Sequence, residues 1–139
     1  MHANFEINGM IYLVVGSVEY DLHNNFDFVG FEYRPTDKIA WLRWRRAKGE
    51  WVPQGTPACL NVCFTGVRNL AVRQRDDEMP FSEDSCLASI TFLPAELDRD
   101  FEAICPEFRR SDEHLSLVFQ SGAAMKIWAE SATYEIQTT

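Results

Sequence analysis

Glu19, Asp21 and His23 fall at alternate positions, and Asp27 follows close behind in sequence. Carboxylates and an imidazole are the side chains from which metal sites and acid/base pairs are built. A site here would sit at the mouth of the strand that starts at Phe26 and would serve a small enzyme or a ligand-binding protein. The competing reading is a solvated connection whose Asp and Asn side chains bond their own backbone. Three protein ligands need converging geometry, which one loop rarely supplies.

The remaining reactive residues give no catalytic pattern. Cys59 and Cys63, placed four residues apart on a strand at ~3.3 Å per residue, would have α-carbons ~13 Å apart, well beyond the ~7 Å limit for bridging. They share a face and read as small packed thiols. Cys86 and Cys105 stand alone, and no C-x-x-C or paired histidine spacing marks a zinc site. There is no G-x-S-x-G elbow and no cysteine near a histidine in sequence, and His2, His23 and His114 are the available bases. The glycines are scattered, so no phosphate cradle is visible. No cofactor, no metal and no catalytic residue is expected, which weighs against an enzyme.

Two charged stretches could serve recognition instead. Asp76, Asp77 and Glu78, with Glu83 and Asp84, flank the apolar Met79 and Phe81. Such a loop suits a basic protein partner, with the carboxylates steering approach and Phe81 as anchor. The plainer alternative is a solvated loop whose Phe81 tucks back into the core. The basic counterpart, Arg43, Arg45, Arg46 and Lys48, lies beside Trp41, Trp44 and Trp51. Arginine interleaved with aromatics can read single-stranded nucleic acid, but a face of cross-strand ion pairs fits this acidic chain better.

The elements that must position these residues are mostly strands. Leu60, Val62 and Phe64 alternate with small or polar residues, and after Thr65-Gly66 the apolar set continues as Val67, Leu70 and Val72. This predicts a hairpin about Thr65-Gly66 over Leu60–Arg75, pairing Phe64 with Val67, Val62 with Leu70 and Leu60 with Val72 across a bulge near Arg68-Asn69. Asn8-Gly9 predicts a hairpin turn into a covered strand, Met10–Val18, with Glu19–Asn25 as a connection. Phe26–Arg34 and Lys38–Arg46 read as strands. Ala47-Lys48-Gly49 would turn the latter into Glu50–Val52, setting Arg46 against Glu50 and Trp44 against Val52. Asp76–Asp84 holds Pro80 and lacks periodicity, as a surface loop does.

Cys86–Leu93 reads as a strand with Ala88, Ile90 and Phe92 on one face. Pro94–Ile104 carries Leu93, Leu97, Phe101 and Ile104 at helical spacing, a short helix near 94–104. His114–Phe119 and Ala123–Ala129 form a hairpin about Gln120-Ser121-Gly122, pairing Leu117 with Met125 and Leu115 with Ile127. Ala132, Tyr134 and Ile136 continue in a final strand.

With 139 residues, 46% hydrophobic and 13% aromatic, the chain can bury a sizeable core and is expected to form a single domain over 1–139. The formal charge of −8 argues against unassisted binding to nucleic acid or an anionic membrane. The opening MHANFEING lacks the basic flank and long apolar core of a secretory signal, and no apolar run approaches the ~20 residues needed to span a bilayer. A cytoplasmic location is expected, with the cysteines reduced.

Leu22-His23-Asn24-Asn25-Phe26 leading into a strand, the Phe64-Thr65-Gly66-Val67 ladder, and Ser121-Gly122 through Ile127–Ile136 together resemble small β-rich bacterial proteins that include immunity proteins of polymorphic toxin systems. Asn24 stands where members often carry an acid after the histidine. The resemblance implies a β-rich fold and, for members in toxin loci, binding and blocking of a cognate toxin. The expectation is a mainly β chain, an antiparallel β-sandwich or strongly curved sheet of about eight strands with one short helix. Its leading function is a cytosolic protein-binding module of the immunity type. The alternatives are a small enzyme or ligand binder at Glu19, Asp21, His23 and Asp27, or a structural homodimer that buries an edge strand or tryptophan face.

Overall fold

A computed structural model of the chain describes residues 1–94, 101 and 112–138. Among them run ten strands: β1 (His2–Ala3), β2 (Glu6–Asn8), β3 (Tyr12–Val15), β4 (Val18–Asp21), β5 (Phe26–Arg34), β6 (Ile39–Arg46), β7 (Cys59–Arg73), β8 (Leu87–Leu93), β9 (His114–Phe119) and β10 (Ala124–Gln137). The fold is mainly β, as expected. A strongly curled antiparallel sheet has the order β5-β6-β7-β10-β9-β8, and β1 adds to it in parallel along β10. A small sheet, β2-β3-β4, lies against it. A 3-10 turn spans Phe81–Ser85. The helix expected near 94–104 falls, apart from Pro94 and Phe101, outside the described residues.

The hairpin expected about Thr65-Gly66 does not form. β7 is one 15-residue strand that continues through that dipeptide. Either primed turn needs φ > 0 at its first central residue, which a β-branched threonine resists, and the positive φ falls on Gly66 alone (+65°). The residues expected to pair with each other pair with β10 instead: Leu60 with Ile136, Val62 with Tyr134, Phe64 with Ala132, Val67 with Ala129, Leu70 with Ile127 and Val72 with Met125. The expected bulge is present, because Asn69 faces Trp128 and Val67 faces Ala129, which leaves Arg68 as the extra residue.

Buried positions also step by three at Phe64–Val67 and, directly opposite, at Ala129–Ala132. Both strands therefore turn one corner together at Gly66 and Glu130, carrying the ladder from one side of the core to the other.

Bulges explain two other breaks in alternation. Val29 is extra in β5, between Phe28 (facing Trp44) and Gly30 (facing Arg43), and this brings Phe26, Phe28 and Phe31 to the core side. Ala88 is extra in β8, so Leu87, Ile90 and Phe92 share the core face, rather than Ala88, Ile90 and Phe92. The expected return strand Glu50–Val52 is a turn, and Trp44 pairs with Phe28 and Leu60 instead. The Leu117–Met125 and Leu115–Ile127 pairs form as expected.

In the small sheet the positive-φ turn residues are Gly9 and Met10, one place beyond Asn8-Gly9. Met10–Val18 is not a single strand: Gly16, at φ +61°, folds it back, and Val18–Asp21 is β4 rather than connection. The sheet docks on β8 through the Ile90 amide, which donates to the Met10 carbonyl at 2.7 Å, and through Phe5 stacked on Phe92. It adds Phe5, Leu13 and Leu22 to the shared core.

Candidate interaction surface

The acidic loop is held by one basic side chain. Arg75 leaves the end of β7, and its Nε donates to both carboxylate oxygens of Asp84, at 3.0 and 3.2 Å. Its Nη2 donates to the Met79 carbonyl at 2.7 Å. The central carbon of the guanidinium, Cζ, lies over the Phe81 ring, 4.3 Å from its centre. Phe81 does not tuck into the core; it is 80% exposed and rests on that cation. The hydrogen bond from Arg75, and after it one from Ser121, holds the Asp84 carboxyl below its ordinary value.

The other carboxylates of this loop are placed differently. Asp76 is tied by its amide to the Ser121 carbonyl at 2.7 Å, and its Oδ1 accepts the Glu78 amide at 3.0 Å. Asp77 and Glu78 are exposed, while Glu83 is half-buried.

Glu19, Asp21, His23 and Asp27 do not converge. The Asp21 carboxylate closes its own turn, accepting the amides of His23 (3.0 Å) and Asn24 (2.9 Å) and the Asn24 side-chain amide (2.8 Å). Glu19 points away to the Asn8 side chain at 3.5 Å. His23 reaches across to β8, with Nδ1 2.5 Å from the Leu87 carbonyl oxygen and 3.7 Å from Cys86 Sγ. Among the described residues no group of three or more His, Cys, Asp or Glu could hold a metal ion.

The Cys86–His23 contact joins residues 63 apart and is invisible to a scan of sequence neighbours. Its chemistry opposes nucleophilic catalysis. A carbonyl can only accept, so Nδ1 carries the proton toward Leu87 and cannot take one from the thiol at that atom. Burial pushes the Cys86 thiol up, and the charges of Glu83 and Asp27 push the same way. Cys59, Cys63 and Cys86 are free thiols, and burial raises Cys63 as well. A groove of about 180 Å³ between β4 and residues 53–57 is smaller than the roughly 300 Å³ at which ligand pockets begin.

Cys86 has a second importance: it is where two regions of the sequence meet. It directly follows the 3-10 turn of the acidic loop, and its thiol meets His23 from the Asp21 loop. The basic tryptophan stretch, in contrast, is split up. Strand alternation buries Trp44 and turns Trp41 outward between Arg34 and Arg43, whose charges share Glu32 at 3.0 and 3.1 Å. Both arginines hold the Glu32 carboxyl below its ordinary value, Arg43 the more. Arg46 donates to the Thr56 carbonyl at 2.8 Å, and Trp51 stands on a separate loop.

Among the described residues no helix is long and apolar enough to cross a membrane. Compared with known proteins, the chain matches no family model, no curated protein and no solved structure.

Proposed function

We propose that this chain is a protein-binding module of the immunity type, which blocks a basic, toxin-like partner by covering its working surface. The observation that carries this reading is Phe81, a large apolar ring 80% in water yet fixed from beneath by Arg75. An anchor already ordered before contact loses little side-chain freedom on binding. Aromatic anchors ringed by polar residues are the common form of an energetic hot spot. Asp76, Asp77, Glu78 and Glu83 add a negative field that draws in a positive surface. Asp84 contributes less to that field, because Arg75 counters its charge.

Co-purification with a toxin-like protein encoded beside it is the direct test. Reversing Asp76, Asp77 and Glu83 to lysine should slow association by about tenfold at low salt and by less at high salt. Phe81→Ala should act on dissociation instead. Binding that ignores both changes, and ignores salt, refutes the reading.

A further inference from the structure

β6 and β7 are direct partners, Arg45 facing Cys59, yet residues 47–58 run between them. Adjacent antiparallel strands are usually closed by about two to five residues, and longer irregular connections tend to serve function. This one is pinned at several points. The Thr56 hydroxyl donates to the Pro53 carbonyl at 2.7 Å, and Arg46 Nη1 donates to the Thr56 carbonyl at 2.8 Å. Trp51 Nε1 donates to the Asn24 carbonyl at 2.8 Å, and the Ala47 amide to the Asn25 carbonyl at 2.9 Å.

A groove of about 300 Å³ opens along the connection, with Arg46, Gly49, Pro53, Gln54 and Gly55 in its wall. That is the size at which ligand sites begin. Among the described residues, the amides of Gly49, Gln54 and Gly55 donate to no protein acceptor. Over residues 45–58 the charged side chains are Arg45, Arg46, Lys48 and Glu50, a positive stretch in a chain of −8. None of the three bases is in an ion pair among the described residues, although Asp27 stands opposite Arg45 in the ladder. Glu19 and Asp21 line the separate groove beside β4 and are already engaged, Glu19 with Asn8 and Asp21 with its own turn. Trp51 stands at the rim. Its ring covers Gly49, where a Cβ would come 2.0 Å from Cζ3, and the residue is 67% exposed.

We propose that this groove binds a nucleoside monophosphate, its phosphate held by Arg46 and the Gly49, Gln54 and Gly55 amides and its base stacked on Trp51. A guanidinium beside free backbone N–H groups is the donor set that oxyanions take. An indole held still by its own N–H, with most of its surface in water, is a platform for a flat ring. The proposal goes beyond the binding-module reading and uses no part of the acidic loop. A basic protein would meet like charge here, whereas a phosphate meets opposite charge.

The test is nitrogen-15 NMR of the full chain, titrated at low salt with inorganic phosphate, adenosine and adenosine monophosphate. Phosphate should shift the Gly49, Gln54 and Gly55 amides saturably. The nucleotide should do so at about tenfold lower concentration and move the Trp51 indole N–H as well. Arg46→Gln should weaken both ligands about tenfold. Trp51→Ala should bring the nucleotide back to the affinity of inorganic phosphate, which it leaves unchanged, and Trp51→Phe should keep most of the difference. Tyr33→Ser, an exposed site on β5, should change nothing. Where a variant does not fold, the ligand series on the unaltered chain carries the test.

Shifts centred elsewhere, or no saturation below about 10 mM of phosphate or nucleotide, overturn the site. Equal affinity for nucleotide and phosphate, or a folded Trp51→Ala without effect, overturns the stacked base. Adenosine that binds as tightly as its monophosphate overturns the phosphate contact. A single-stranded oligonucleotide bound more than tenfold tighter than the mononucleotide makes a strand the occupant and overturns the small ligand. Each of these failures leaves the acidic-loop reading standing, since neither Phe81 nor its carboxylates enter the site.

Discussion

Arg75 is the residue on which the acidic loop depends, since it holds Asp84, the Met79 carbonyl and the Phe81 ring at once. The ionised form of Asp84 is the bonded one, so its carboxyl titrates below the ordinary value. The Arg75–Asp84 contact is then complete above the unfolded value of about 3.9 and is lost as pH falls through the lower folded one. In a carbon-13 carboxyl titration, the Asp84 midpoint should lie below that of an exposed aspartate, and Arg75→Ala should move it back up. A normal midpoint in the unaltered chain would show that the clamp is absent in solution.

Cys86 offers the opposite sign. Its raised thiol should react more slowly with iodoacetamide at neutral pH than a free cysteine, and Glu83→Gln should speed the reaction. Peptide mapping by mass separates its signal from those of the other cysteines. Phe81 and the carboxylates around it were legible as types in a row. Arg75 as their support was not, because its role appears only when residues 75, 79, 81 and 84 fold into one turn.

At the scale of the element, each break in alternation marks a real device, although not always the device it suggests. The slips in β5 and β7 are bulges at Val29 and Arg68. Thr65-Gly66 looked like a hairpin because a glycine in a slipped apolar pattern is what a turn also contains. Its actual work is to let two long strands bend together beside Glu130. Gly66→Ala would force an L-residue to φ +65°, with its Cβ 2.7 Å from the Glu130 side chain. Glu130 is 64% exposed and can swing aside, so the backbone strain dominates. The expected loss is about 1–2 kcal/mol, read from urea denaturation. Gly66→Asn should lose less, because asparagine tolerates the left-handed region. Equal stability of all three chains would mean that the corner is not built as described.

For the whole molecule, local periodicity was enough for the β class and for the bounds of β5, β6, β8 and β9. It could not give the order of the sheet. Val62 and Tyr134 meet in the central ladder, and no short-range pattern records a partner so far along the chain. The same remoteness hid the Cys86–His23 junction. β2–β4, in turn, is joined to the curled sheet by few backbone bonds, among them the one from the Ile90 amide to the Met10 carbonyl. Its burial of Phe5, Leu13 and Leu22 carries the rest of the attachment.

A unit attached chiefly by side chains can part from its neighbour without dismantling the central ladder. Amides at Leu13 and Val14 should accordingly trade protons for deuterons well before those at Val62 and Phe64, whose strand has β6 on one flank and β10 on the other. His23 hangs between the two tempos, bridging the turn beside β4 to the start of β8. Each such parting would slacken the Asn24 turn, whose carbonyl receives the Trp51 indole N–H, while the seat of Phe81 on Arg75 stays firm.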